Sequence, residues 1–177
     1  MTDLERRNQA IGIEYEFEGI DVDHDGYADL TDAMMLRLDH DLAPGGYSWI
    51  FHTGEDTAKV GLCYIQNERY QSRGHEGMTI DDHLDYWLDS DPRFANASKL
   101  EGKMHRGSAH IQMPEEMSTD NFMAIGDTVP TLDPLWGEGI HKCMESGRVA
   151  AATVDKCLTP NDPDTSAENM ATYDDLW

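Results

Sequence analysis

Residues 11–18 read Ile-Gly-Ile-Glu-Tyr-Glu-Phe-Glu, an alternation of apolar or small and acidic positions. Period two with acids on one side predicts a half-buried strand with one wet face. Further short apolar runs follow at 34–38, 47–51 and 58–65. Turn chemistry separates them, at Ala43-Pro44-Gly45-Gly46 and at Thr53-Gly54-Glu55-Asp56. Four strands so close in sequence are most economically paired as an antiparallel sheet. The period then changes. Thr79 with Asp82 three residues on is a helix start, and Ile80, Leu84, Trp87 and Leu88 fall on one face before Asp91-Pro92 ends the run. Residues 103–112 are expected to form another strand, bent at Gly107. Residues 122–125 read as a short buried strand ending in Gly126-Asp127, and residues 128–139 as a loop. From Ile140 a stripe of Cys143, Met144, Gly147, Ala151, Val154 and Leu158 predicts a helix packed on a sheet. Residues 159–164 read as a linker, and residues 166–177 as helical.

Composition changes this picture in one respect. The chain has 177 residues with 13 Lys+Arg against 35 Asp+Glu, a net charge of −22, and its mean hydropathy is −0.62. Such a balance excludes neutralising a phosphate backbone and argues against a basic membrane anchor. Four Trp, seven Tyr and four Phe in patterned runs oppose a disordered chain. Acid spread over the whole length with few lysines fits a surface adapted to high salt, where self-repulsion is screened. Residues 1–7 have no apolar run behind them, so neither a secretory leader nor a spanning helix is expected, and the setting reads as cytoplasmic. Cys63, Cys143 and Cys157 show no zinc spacing. Cys143 and Cys157 on one helix would lie about 21 Å apart, too far to bond. Reduced thiols follow.

Two segments carry candidate chemistry. Residues 21–32 place oxygen side chains at positions 1, 3, 5, 9 and 12 of a loop with Gly26 at position 6, the spacing of a calcium loop. Asp32 replaces the longer bidentate Glu, and no second copy exists; a solvated acidic loop is the plainer reading, with a calcium-binding interaction module as the rival. The eight His are dispersed, so no metal cluster is expected. The second segment is Gly126-Asp127, a loop, then Pro134-Leu135-Trp136-Gly137-Glu138-Gly139 opening a helix. A carboxylate at a strand end can accept hydrogen bonds from polyol hydroxyls. Glycines admit a flat ligand to the backbone, and the helix aims its positive end there. No G-x-G-x-x-G or P-loop accompanies it.

Ile125-Gly126-Asp127, then Asp133-Pro134-Leu135-Trp136-Gly137-Glu138-Gly139-Ile140, then Met144-Glu145-Ser146-Gly147-Arg148 resembles the second flavin motif of the geranylgeranyl reductase family, FAD-dependent oxidoreductases built like aromatic hydroxylases. Pro44-Gly45-Gly46-Tyr47-Ser48-Trp49-Ile50-Phe51, with Gly61 on the next strand, resembles that family's substrate-region motif. The resemblance covers about residues 10–177 and implies an α+β chain. Residues 1–120 would form an antiparallel substrate-binding sheet and helix. Residues 121–158 would be the final strand–loop–helix of an FAD-binding α/β domain whose N-terminal Rossmann part is not in this chain, and 159–177 a linker and the start of a helix. It implies FAD held by Gly126, Asp127, Pro134, Gly137, Glu138 and Gly139. An isoprenoid or lipid substrate would lie against Tyr47, Trp49, Phe51 and Gly61, its carbon–carbon double bonds reduced by flavin hydride transfer. No catalytic side chain, metal or nucleic acid is implied. The electron donor is unnamed, and membrane contact would come through the substrate. An electron-transfer-flavoprotein dehydrogenase or a flavin monooxygenase shares the Gly-Asp motif and stays open. Three departures stand out: Thr128-Val129-Pro130 follows Asp127 where small residues are usual, Cys63 replaces a glycine, and His52 stands where Pro is frequent.

Overall fold

The alternation at 11–18 becomes β1 (Gln9–Glu18), in a computed structural model that describes residues 9–66, 74–112, 114–129, 133 and 135–176. It is followed by β2 (Met34–Arg37), β3 (Tyr47–His52), β4 (Thr57–Ile65), α1 (Ile80–Ser90) and β5 (Ser98–His110). The five strands form one sheet in the order β2-β3-β4-β1-β5, and β1/β4, β2/β3 and β3/β4 all pair antiparallel. The register sorts the side chains. Ile13↔Leu62, Tyr15↔Val60 and Phe17↔Ala58 bring one face of β1 and β4 together, with Ile50 beside Val60. Ile13, Ile50, Ala58, Val60 and Leu62 are each at most 1% exposed.

Helix α1 covers that face. Thr79 caps it with a reciprocal capping box to Asp82, and Ile80, Leu84 and Trp87 point into the core. Asp91 ends the helix and then accepts from Trp87 Nε1 at 3.1 Å and from Arg93 Nε at 3.0 Å. Asp91 and Arg93 are 6% and 3% exposed, so this is a buried ion pair. Burial pushes the Asp91 carboxyl up, yet the Arg93 guanidinium and the Trp87 N–H together hold it below its ordinary value.

The chain divides into two compact units at Ser108/Ala109. In the second, β6 (Ser118–Thr119) and β7 (Phe122–Met123) make a two-stranded ribbon. A 3-10 turn at Gly126–Thr128 precedes α2 (Ile140–Cys157), and two short helices follow, α3 (Ala167–Met170) and α4 (Thr172–Leu176). Asp174 of α4 ties down the ribbon by accepting from Met117 N at 2.8 Å and Ser118 Oγ at 2.6 Å. The core of this unit is Met117, Val129, Val149, Ala150 and Tyr173.

Four expectations are corrected here. The 122–125 segment is a ribbon strand, not a buried one: Phe122 is 59% and Ile125 44% exposed, because β7 has only β6 beside it. In β5 the left-handed backbone is at Gly102, whose φ is 72°, and the strand begins at Ser98 rather than residue 103. The buried stripe of α2 is Ser146, Val149, Ala150, Thr153 and Cys157, while Met144 and Leu158 are 73% and 54% exposed. Small and polar residues line it because its neighbour is the bulky Tyr173 of α4. The C-terminal helical run breaks into two pieces at Ala171. The polar stretch 68–77 reads from the sequence as a loop, and residues 68–73 of it lie outside the described residues.

Candidate functional site

The first candidate surface is the other face of the five-stranded sheet. Tyr47, Trp49 and Phe51 alternate with buried Ser48 and Ile50, so all three project to this open face, half-buried. Their rings form a row, with centroids 5.6 Å apart for Tyr47–Trp49 and 6.1 Å for the stacked Trp49–Phe51 pair. Leu36 stands opposite Trp49 and Met34 opposite Phe51 on β2, 45% and 74% exposed. Gly61 pairs with Trp49 on one side and Glu14 on the other. A Cβ there would collide with the Trp49 ring and come within 2.5 Å of the Ile13 carbonyl oxygen. The missing side chain is therefore what lets the indole lie across β4, where Nε1 donates to Glu14 Oε2 at 2.9 Å. Cys63, opposite Tyr47, is half-buried on the same face, and burial pushes its thiol pKa up. The predicted residues Tyr47, Trp49, Phe51 and Gly61 thus do come together. Glu14 escaped the sequence reading, which saw only the wet side of β1.

The second candidate surface is the turn before α2. Gly126 takes a φ of 60°, a left-handed conformation that glycine tolerates. Its N–H donates to Ser146 Oγ at 3.0 Å, and Ser146, fully buried on α2, donates in turn to the Cys143 carbonyl. Asp127 is exposed beside it, and its Oδ1 accepts from Cys143 Sγ at 3.3 Å. The approach to α2 is a closed turn. Asp133 Oδ1 accepts from Leu135 N and Trp136 N, Gly137 N donates to Asp133 O, and Asp133 N donates to Glu138 O. Those N–H groups hold the Asp133 carboxyl below its ordinary value. Gly139 is the N-cap and offers no side chain, so no side-chain cap closes the helix start. Gly126, Asp127, Gly137, Glu138 and Gly139 therefore belong to one surface; Pro134 lies outside the described residues. Ser146, within the motif at 144–148, fixes Gly126.

The calcium-like loop has a different use. Asp21 Oδ2 turns to His24 Nδ1 at 2.8 Å, and Asp29 Oδ1 to Thr31. Leu30 is 2% exposed, and Tyr27 lies under the Arg93 guanidinium at 4.7 Å. Among the described residues, no group of three or more His, Cys, Asp or Glu is placed to hold a metal ion. The loop is anchored by buried Leu30 and by Arg93, whose carbonyl accepts from Asp21 N at 3.0 Å, and the Asp21 and Asp29 carboxylates are engaged within the loop.

Residues 9–102 match the family profile described as geranylgeranyl reductase catalytic domain. This chain belongs to the geranylgeranyl reductase family. The geranylgeranyl reductase motif residues of β3 and β4 fall inside that match. A Haloferax volcanii protein named digeranylgeranylglycerophospholipid reductase is 72% identical over all 177 residues, which make up 43% of its length. A relative of the same name from Methanosphaerula palustris is 30% identical over 93% of the chain and 37% of its own length. The chain thus spans less than half of these geranylgeranyl reductase relatives. Among solved structures, a geranylgeranyl bacteriochlorophyll reductase-like protein from Thermoplasma acidophilum matches with a TM-score of 0.75 at 24% identity, over 97% of this chain and 39% of that one. A flavin-dependent brominase matches at 0.64 and 22%, over 97% and 41%. At these identities the likeness is one of fold. Among the described residues, no helix is long and apolar enough to cross a membrane.

Proposed function

We propose that this chain is the substrate sheet and part of the cofactor frame of an FAD-dependent reductase that saturates carbon–carbon double bonds of isoprenoid lipid chains. The observation that carries this reading is the 72% identity, along the whole chain, to a protein named as a digeranylgeranylglycerophospholipid reductase. Residues 1–120 would carry the substrate, 121–158 would contact the flavin, and 159–177 would lead into a C-terminal helix.

The residues present suit the cofactor. Asp127 is exposed, and a carboxylate has about four acceptor sites, so its bond to Cys143 leaves room for ribityl hydroxyls. Gly126 and Gly137, with φ of 60° and 65°, put bare backbone at the surface, and the start of α2 has N–H groups without a side-chain cap. Gly126, Asp127, Gly137, Glu138 and Gly139 would hold the flavin edge, with Pro134 beside them. Bound reduced flavin supplies the hydride. What the chain's own residues contribute is an apolar surface. The Tyr47–Trp49–Phe51 row, flanked by Met34 and Leu36, offers stacked faces to an unbranched or methyl-branched hydrocarbon. A lipid substrate would bring the protein to a membrane surface.

The test is product analysis with the full-length protein, FAD, a reductant and a geranylgeranyl ether lipid. Gain of one H2 per double bond by mass spectrometry is the expected product. Oxygen insertion, or electron transfer to quinone with the chain untouched, sinks the proposal. Asp127→Ala is expected to release flavin; retention of the full yellow colour would remove Asp127 from the cofactor site.

A further inference from the structure

On the open sheet face, three residues stand in line across three strands: Trp49 on β3, Gly61 on β4 and Glu14 on β1. Neighbouring strands lie about 4.8 Å apart, so the backbones of Trp49 and Glu14 are separated by roughly 9.6 Å. An indole can cross that gap only if the residue between has no side chain and an acceptor waits on the far side. Both conditions hold. The Gly61 position is filled by the Trp49 ring itself, and Trp49 Nε1 donates to Glu14 Oε2 at 2.9 Å. The carboxylate is held from its other end as well, with Glu14 Oε1 3.6 Å from Lys59 Nζ. The other acids of β1 lie on the same face but are engaged by other partners: Glu16 pairs with Lys103, and Glu18 accepts from Ser98.

We propose that Glu14 is a positioning residue: its carboxylate pins the Trp49 indole flat across Gly61 and so sets the shape of the floor on which an isoprenoid chain lies. This rests on the substrate reading of the aromatic row. Without the bond, the indole N–H loses its partner and the ring is free to change rotamer. Tyr47 and Phe51 pack against it, so the row changes shape with it. The Glu14–Lys59 pair also borders the apolar strip on the β1 side, while Met34 and Leu36 extend it on the β2 side. An apolar chain is thereby confined to run along β3 and away from the charges, whose desolvation it could not compensate.

The experiment follows the indole N–H and the kinetics together, in the full-length protein. The Trp49 signal is assigned in a proton–nitrogen spectrum by its loss in Trp49→Phe. Glu14→Ala is expected to shift that signal and speed its solvent exchange. It should raise KM for a geranylgeranyl lipid about three- to tenfold, the range one partly buried hydrogen bond supports, with kcat within about twofold. Glu14→Gln keeps a carbonyl acceptor at nearly the same place and is expected to retain both the signal and KM, which also controls for folding. An unmoved indole signal in Glu14→Ala overturns the proposal, whatever the function. A moved signal with unchanged KM, where Trp49→Ala does raise KM, overturns it too, because the brace then has no consequence for substrate. If neither Trp49→Ala nor Phe51→Ala alters KM, the substrate reading itself has failed.

Discussion

The two units handle their apolar residues in opposite ways. In the sheet unit, helix α1 closes one sheet face so completely that Leu84 and Trp87 are at most 1% exposed, and the aromatics of β3 are left as a separate, half-buried row on the other face. In the second unit the buried cluster among the described residues is Met117, Val129, Val149, Ala150 and Tyr173, and the long helix α2 turns Ile140 and Met144 outward at 83% and 73% exposure. The sheet unit supplies its own packing and keeps one surface free. The second unit is held by polar ties, Ser146 to Gly126 and Asp174 to the ribbon, and spends its apolar residues on the surface. Stability of the first should therefore respond to core and buried-charge changes, and that of the second to single hydrogen bonds as much as to its small core.

The largest effect is expected from Arg93→Ala. Asp91 would then be a buried carboxylate without its guanidinium, which costs about 3–5 kcal/mol. Tyr27 and Met35 would lose their contacts with Arg93 as well. Hydrogen exchange should accelerate in β1, β4 and α1 and leave peptides from 117–176 unchanged; parallel acceleration in both units would break the comparison. The acid response follows the same pair. The folded Asp91 pKa lies below the ordinary 3.8, so its contribution is fully present above that value and is lost as the pH falls through the folded pKa. In Arg93→Ala this acid-limb loss should disappear.

Next is Ser146→Ala. It leaves the Gly126 N–H without its acceptor at a part-buried site, a loss of about 1–3 kcal/mol. The effect should be confined to the second unit and should loosen the 126–129 turn, read as faster exchange there. A stability change centred on the sheet would contradict the division of labour. Thr79→Ala is the matching small cut in the sheet unit. Removing the cap that Asp82 N and the reciprocal box rely on costs about 1 kcal/mol of helix stability, and exchange should rise first in residues 80–84.

These contrasts show where sequence was a good guide. Strand β1 was legible because acids and apolar residues alternate, and one face of a sheet is what that alternation describes. Helix α1 was legible because a cap, a period and a Pro stop agree. The row at Tyr47, Trp49 and Phe51 needed only the parity of a strand. The bond from Trp49 to Glu14 was not legible, since it depends on strand order, which places 14, 61 and 49 in line. The pair Asp91–Arg93 was hidden behind the helix-stop reading of Asp91-Pro92. The α2 stripe misled for a physical reason: hydropathy ranks Met144 and Leu158 as core, whereas the helix buries Ser146, Val149, Ala150 and Thr153, with Val149 and Ala150 clustered with Tyr173.

That misreading sets up the smallest expected effect. If hydropathy alone governed α2, replacing its most apolar residues would empty a core. Ile140 and Met144 are instead exposed, one turn apart, on the side of the helix away from Val149 and Ala150. Side chains already in water forfeit almost no burial when truncated, so Ile140→Ser and Met144→Ser should each change stability by less than about 0.5 kcal/mol. Val149→Ala, which removes two carbons, no more than Met144→Ser, but from a site 5% exposed, should cost more than either, about 1–3 kcal/mol. Denaturant midpoints for the three variants in the same chain decide the order. Should Met144→Ser prove more damaging than Val149→Ala, the outward face of α2 would be a covered core, and the contrast between the two units would collapse.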